Sequence, residues 1–212
     1  MPPIISFVNQ KGGVGKSTLS INVAACLTQL RQKVLLIDAD KQGTAMVWAS
    51  LRDNSLFQVV GMARENMAKD AIAMAGDYDF VIIDGPPHAD SIVRSCIIAS
   101  NLVVVPVEPG GASRWSSELT VKQLMEAREL KPGLKYGLLV SRKIGNTVLG
   151  RDTRVMSADV GIPIFDTEIE QRVSYAEALT MGKSIFEWSG GKGPAIAEIR
   201  KLTHELLDAF NE

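Results

Sequence analysis

Five short apolar runs constrain the fold of this chain more than any other feature: Ile4–Val8, Val34–Ile37, Phe80–Ile83, Leu102–Val107 and Gly137–Val140. They are rich in Val, Ile and Leu and do not alternate with polar residues, so each predicts a strand buried on both faces. The stretches between them, about Lys16–Leu30, Thr44–Leu51, Glu65–Ala75, Ser91–Ser100 and Ser116–Leu130, have helix length. Such gaps are too long for hairpins and suit crossovers between parallel strands. The expected fold is therefore α/β: a doubly wound, mostly parallel sheet flanked by helices. After Arg142 the pattern loosens into a helix at Asp152–Val160, a short strand at Pro163–Phe165, a turn-rich segment and a last helix from Pro194 to about Phe210. Proline after Gly191 and Gly193 opens a helix naturally, because its missing N–H is not needed there. With no internal repeat and no linker, residues 1–212 are expected to form a single domain.

Composition narrows the function classes. Apolar residues make up 46% and charged residues 22%, which supports a buried core and excludes disorder as the main state. No apolar run approaches the ~18 residues of a membrane helix, and no basic segment with a cleavage site opens the chain, so neither secretion nor membrane spanning is signalled. Cys26 and Cys96 lack a CxxC spacing and sit in apolar helical stretches, as reduced core thiols of a cytoplasmic protein would. The 23 basic and 24 acidic residues leave a net charge of -1, so any surface for nucleic acid must be local.

The strongest chemical signal is Lys11-Gly12-Gly13-Val14-Gly15-Lys16-Ser17-Thr18, directly after the first strand and opening the first helix. A phosphate loop needs that context: glycines turn backbone N–H groups onto phosphate oxygens, and the helix N-terminus adds its positive end. Lys16 is placed to reach the β and γ phosphates, and Ser17 to ligate Mg2+. The usual G-x-x-x-x-G-K-[ST] pattern asks for glycine at position 10, where this chain has Gln10, and Lys11 is an additional lysine.

Three aspartates lie where strands end. Asp38 and Asp40 follow Val34–Ile37, and Asp84 follows Phe80–Ile83, so all three are expected at the carboxyl edge beside the loop. Carboxylates there suit a hydrated Mg2+, with Ser17, Asp38 and Asp84 around the metal and Asp40 or Asp38 orienting the attacking water.

The loop resembles the deviant Walker A motif of the ParA/MinD ATPases, which partition plasmids and chromosomes or place other cellular cargo. The resemblance implies Mg-ATP as ligand, slow ATP hydrolysis, and a homodimer closed around two nucleotides in which Lys11 reaches the partner's ATP. Asp38-Ala39-Asp40-Lys41-Gln42-Gly43 is similar to the family's D-x-D-P-Q-G, with Lys41 in place of proline, and assigns hydrolysis to Asp40. Ile82-Ile83-Asp84-Gly85-Pro86-Pro87 resembles Walker B. Ser141 and Arg142, ending the fifth apolar run, resemble the adenine-side contacts, with Phe165–Ile169 along the other edge. Glu177-Ala178 and Gly182-Lys183 are similar to a ParA segment E-A-x-x-x-G-K.

Branches of the family differ in what surrounds this core. Only ten residues precede the loop, so no helix-turn-helix operator-binding domain is expected. The terminus Leu206–Glu212 is acidic at its tip, unlike the basic amphipathic membrane helix of MinD-like members. A nitrogenase-type iron–sulfur centre would need two cysteines after Walker B, where only Cys96 lies. The resemblance is then to small ParA proteins, which are nucleoid-associated, bind double-stranded DNA without sequence preference, and respond to a ParB-like or other cargo adaptor that stimulates hydrolysis. Arg172, Lys183, Lys192, Arg200 and Lys201 are the candidate phosphate contacts for such DNA. A different reading is a regulatory module whose nucleotide state gates a protein partner without DNA-based transport.

Overall fold

The computed structural model describes residues 2–109, 111–145 and 162–211, with residues 111–118 as backbone alone. Seven parallel strands form one sheet: β1 (Ile4–Phe7), β2 (Val34–Asp38), β3 (Gln58–Gly61), β4 (Phe80–Asp84), β5 (Leu102–Val107), β6 (Lys135–Lys143) and β7 (Ile164–Glu170), in the spatial order β3-β2-β4-β1-β5-β6-β7. The helices are α1 (Lys16–Gln29), α2 (Thr44–Ser50), α3 (Met67–Ala75), α4 (Asp90–Ala99), α5 (Gly111–Leu130), α6 (Val173–Thr180), α7 (Ile185–Trp188) and α8 (Pro194–Asp208).

The unbroken apolar runs are explained by the two cores. Ile5, Phe7, Leu36, Ile82 and Val104 point to one face, where α1, α7 and α8 cover them. Ile4, Leu35, Ile37, Val81, Ile83, Val103 and Val105 point to the other, beneath α3, α4 and the second half of α5. Alternation along each strand sends neighbours to opposite faces, and both faces are covered, so inner positions are apolar unless a polar side chain has a partner. Full burial of such a side chain contributes about 1.5–3 kcal/mol. The one polar residue inside β1, Ser6, accepts a hydrogen bond from Ser100 Oγ at 2.8 Å.

Four elements differ from expectation. β3 is an edge strand whose residues are half or fully exposed, so Gln58 and Gly61 hid it from an apolar-run criterion. β7 continues to Glu170, with Phe165, Thr167 and Ile169 turned inward while Asp166 and Glu168 face out, an alternation that keeps an edge strand soluble. The turn-rich segment contains α6 and the four-residue α7, which opens with a capping box between Ser184 and Glu187. The helix expected at Asp152–Val160 lies outside the described residues.

The segment around Gly182-Lys183 joins α2 to the sheet. Gly182 has φ +63, and a Cβ there would stand 2.7 Å from Leu51 Cβ. Lys183 O accepts from Trp48 Nε1 at 3.1 Å, and Trp48 stacks on Phe57 with centroids 5.4 Å apart.

Gly85, just past β4, is pressed against the end of β1: a Cβ would meet Val8 Cγ1 at 2.7 Å and Phe7 O at 2.9 Å. Backbone cannot yield as a flexible side chain would, so Gly85→Ala is expected to destabilise the protein by about 1–3 kcal/mol. Urea unfolding of the two proteins checks this, and an unchanged midpoint would show that the two strand ends can separate without cost.

Candidate active site

β1 lies in the middle of the sheet, paired with β4 and β5, so the loop that follows it emerges at the carboxyl edge where the chain crosses from one half of the sheet to the other. Gly13 (φ +78) and Gly15 (φ +93) adopt left-handed backbone that other residues resist. Gly15 is the N-cap of α1, with no capping side chain and no acidic residue in the first turn. The first N–H groups of α1 are therefore left to an anion rather than to the chain's own side chains.

Side chains outside the motif hold this loop in place. Asn9 Nδ2 donates to Pro106 O at 2.7 Å and its Oδ1 accepts from Lys11 N at 2.9 Å. Gln10, standing where glycine is usual, ties the loop to α4 and α5: its Nε2 donates to Asp90 Oδ1 at 2.6 Å and its N–H to Thr120 Oγ1 at 3.1 Å. Only the motif residues were legible in the sequence here. Nothing local marked Thr120 or the Asn9 contact with Pro106 as loop supports, because these partners are about a hundred residues apart.

The two lysines diverge. Lys16 is buried and its Nζ donates to Lys11 O at 3.0 Å, so its ammonium lies along the inside of the loop. Burial lowers its pKa, opposed by the charges of Asp84 and Asp40. Lys11 extends the other way, and its Nζ meets Glu108 Oε2, just beyond β5, at 2.7 Å.

Asp38 and Asp84 are paired across β2 and β4, so both strands deliver a carboxylate to the same edge. Asp84 is fully buried. Its Oδ1 accepts from Ser20 Oγ at 3.3 Å, while Oδ2 finds no partner among the described residues. Burial pushes Asp84 up to about 7, with the Asp38 charge adding and Ser17, Lys16 and Ser20 opposing. An orphaned buried oxygen beside a serine and a lysine is the feature a hydrated cation would relieve. Among the described residues no three His, Cys, Asp or Glu side chains group closely enough to hold a metal alone, as is usual where Mg2+ arrives with phosphates and water.

Asp38, expected on the metal side, also holds the adjoining backbone. Its Oδ1 accepts from Asp40 N at 3.1 Å and its Oδ2 from Met46 N at 3.0 Å, so both oxygens clamp the turn into α2. Asp40 is thereby held at the rim, less buried than Asp38, and its Oδ1 accepts from Gln42 N at 3.0 Å. Lys41, in the place of proline, is exposed and does not disturb this turn.

β6 and β7 lose register between Val140 and Lys143, and Arg142 takes φ +57 there. This irregularity turns two consecutive side chains to the loop: Ser141 Oγ donates to Val14 O at 2.9 Å, and Arg142 Nη1 donates to Gly13 O. Beyond them opens a cleft of about 590 Å³, walled by Ile144, Ile169, Val173, Tyr175 and Leu179 and continuous with Gly13, Gly15 and Thr18. Its size and apolar wall fit a nucleoside base. Ile169 thus lies where expected, whereas Phe165 packs beneath Gly137 in the core.

The candidate DNA contacts do not form one face. Lys183 lies over the Trp188 ring at 5.9 Å and Arg200 over Phe186 at 5.7 Å, so these two surround α7, and exposed Lys192 follows in the turn to α8. Arg172 instead lines the nucleoside cleft and is paired with Glu198 at 2.5 Å and Glu170 at 2.8 Å. Lys201 lines a groove with Asp166, Glu168, Glu170 and Glu198, whose acidity opposes phosphate. Both thiols, Cys26 and Cys96, are pushed upward by burial and are unreactive core residues.

The sequence matches the family described as AAA domain over residues 3–75 and 52–130. The chain belongs to the ParA/MinD family of P-loop ATPases. It is 28% identical over 207 residues to maintenance of carboxysome distribution protein A of Halothiobacillus neapolitanus, covering 96% of this chain and 95% of that protein. The protein of the same description from Gloeobacter kilaueensis is 30% identical over 211 residues, with 97% and 94% covered. The chromosome-partitioning ATPase Soj of Thermus thermophilus is 29% identical over 244 residues, with 98% and 96% covered. In fold, the chain is similar to the septum site-determining protein MinD of Pyrococcus horikoshii, solved with Mg-ADP, at a TM-score of 0.77, 19% identity and coverage of 100% and 99%. The cofactor pair of this family, a magnesium ion and an adenine nucleotide, fits the uncapped helix, the cleft and the orphaned Asp84 oxygen.

Asp84 gives the site a pH signature. A carboxyl raised from 3.8 to about 7 on folding keeps its proton in the native state while the unfolded chain loses it, so stability falls as pH rises from about 4 to about 7 and is level above. The loss is at most about 4 kcal/mol. In nucleotide-free, chelator-treated protein, Asp84→Asn should remove this decline, as read from urea midpoints between pH 5 and 8. Parallel pH curves for both proteins would contradict the assignment.

Proposed function

We propose that this chain is a positioning ATPase: an ATP-closed homodimer that holds DNA without sequence preference and is released by partner-stimulated hydrolysis. The observation that carries this reading is the divergence of the two loop lysines. Lys16 serves its own loop, while the Lys11 ammonium turns away from it to Glu108 and stays partly exposed, open to a second subunit. The full-length similarity to carboxysome-distribution and chromosome-partitioning proteins supports the same reading.

The site residues then divide as follows. Backbone N–H groups of Gly12 to Thr18 and the Lys16 ammonium bind the phosphates, and Ser17 with Asp84 holds the metal side. Ser141 and Arg142 fix the loop against the cleft that takes the base. Asp38 positions Asp40, and Asp40 orients the attacking water. Magnesium, when bound, neutralises charge developing between the β and γ phosphates. No arginine is committed by motif to the γ phosphate, so slow hydrolysis alone and acceleration by a cargo-linked adaptor follow; such help in trans is worth ~10³ or more in rate. That partner, lying outside this chain, sets whether the cargo is a plasmid, a chromosome or a protein assembly. Among the described residues no helix is long and apolar enough to cross a membrane. The apolar side of α8 is already occupied against the sheet core, which favours DNA over a lipid surface as the matrix and a nucleoid-associated, cytoplasmic location.

Asp40→Ala should still bind Mg-ATP and dimerise but hydrolyse at least tenfold more slowly, because phosphate and metal contacts remain while water is no longer oriented. Phosphate release and light scattering measured together test this; hydrolysis at the parental rate would remove Asp40 from the mechanism.

DNA retention should require ATP, ignore sequence and fall steeply with salt, since each phosphate contact releases counterions. Reversing charge at Lys183 and Arg200 should weaken it, whereas reversing Lys201, inside the acidic groove, should change it little. Retention on DNA-coated beads over a salt series decides between this reading and a protein-gating module, for which nucleotide would leave DNA retention unchanged.

A further inference from the structure

One carboxylate joins the two cations that flank the phosphate loop. Glu108 Oε2 accepts Lys11 Nζ at 2.7 Å, and Glu108 Oε1 lies 3.4 Å from Arg142 Nε. Arg142 also donates from Nη1 to Gly13 O, so Glu108, Arg142 and the loop backbone form a closed circuit with Lys11. Each participant comes from a different place: Lys11 from the start of the loop, Glu108 from the end of β5, Arg142 from the irregular end of β6. Such convergence is set by the sheet and not by local sequence.

We propose that Glu108 is a positioning residue that holds Lys11 and Arg142 on the protomer's own loop and so sets the threshold for ATP-driven pairing. This rests on the reading that Lys11 acts across the dimer. To reach a partner's phosphates the Lys11 ammonium must leave its own loop, which lengthens or breaks its 2.7 Å contact with Glu108. A triphosphate in the loop also brings negative charge beside a carboxylate, which repels Glu108 and competes for the same cations. The side chains of Lys11 and Glu108 are 30% and 26% exposed, shielded enough for the pair to persist and open enough for it to part. Glu108 therefore opposes closure until ATP is present, and it keeps Arg142 directed at Gly13 in the meantime.

The test measures dimerisation of the full chain by light scattering against protein concentration, with a non-hydrolysable ATP analogue and Mg2+. Glu108→Gln, which keeps shape and removes charge, should lower the midpoint concentration about fivefold, the scale of a partly shielded ion pair. The gap from the parent should narrow as salt rises, a response that a purely steric role would not give. Glu108→Asp, charged but one methylene shorter, should fall between the two and serves if the glutamine variant is poorly folded. Lys11→Ala runs alongside as the control for the underlying reading. If Glu108→Gln dimerises no more readily than the parent while Lys11→Ala fails to dimerise, the holding role is overturned and the cross-dimer role of Lys11 survives. If Lys11→Ala dimerises like the parent, the cross-dimer reading falls and this proposal falls with it.

Discussion

The inner strands of the sheet are buried on both faces, and this double burial governs the rest of the molecule. Its parallel strands are joined by helical crossovers, which cover the sheet above and below and bring all the carboxyl ends to one edge. The loop after β1, Asp38 after Ile37 and Asp84 after Ile83 are neighbours for that reason alone. The site is a by-product of core packing before it is anything chemical. Gly85 shows the coupling directly, because the strand that delivers Asp84 approaches the strand that delivers the loop too closely for a methyl group.

Polar groups at that edge work against the core that holds them. Asp84 is fully buried with one oxygen unpaired, and its proton affinity rises as a result. Such a group costs stability in the empty protein and is tolerated where binding relieves it. Asp38 meets the same burial differently, by accepting backbone hydrogen bonds on both oxygens. Two aspartates that look equivalent across a strand pair are thus given different surroundings by the fold. Lys11 and Lys16 repeat the lesson five residues apart.

The charged surface follows the same logic. Basic residues in the last third of the chain are not interchangeable, because acidic neighbours on β7 and α8 engage Arg172 and surround Lys201, while Lys183 and Arg200 rest on the aromatic rings of α7. A count of lysines and arginines has no access to that distinction, since the pairing partners lie on different elements. Trp188, more than a third exposed beside Lys183, places an aromatic ring on the same surface.

The local pattern of the chain was enough for the alternation of strands and helices, the phosphate loop, the strand-end aspartates and the family. Those signals are carried by neighbouring residues: apolar runs, glycines before a lysine, a carboxylate after a run of Ile and Leu. The sequence did not disclose β3, whose exposed edge needs no apolar run, or α6 and α7, which lie in a segment rich in turn residues. Tertiary structure alone decided that Gln10 anchors the loop, that Asp38 clamps a turn, that an irregular end of β6 aims Ser141 and Arg142 inward, and that Glu108 meets Lys11. Apart from the short-range Asp38 turn, each of these depends on a contact between residues brought together by the sheet or on a register shift in backbone pairing. Periodicity and motif spacing describe what a segment can become, whereas long-range hydrogen bonds and ion pairs exist only once the strands have taken their order.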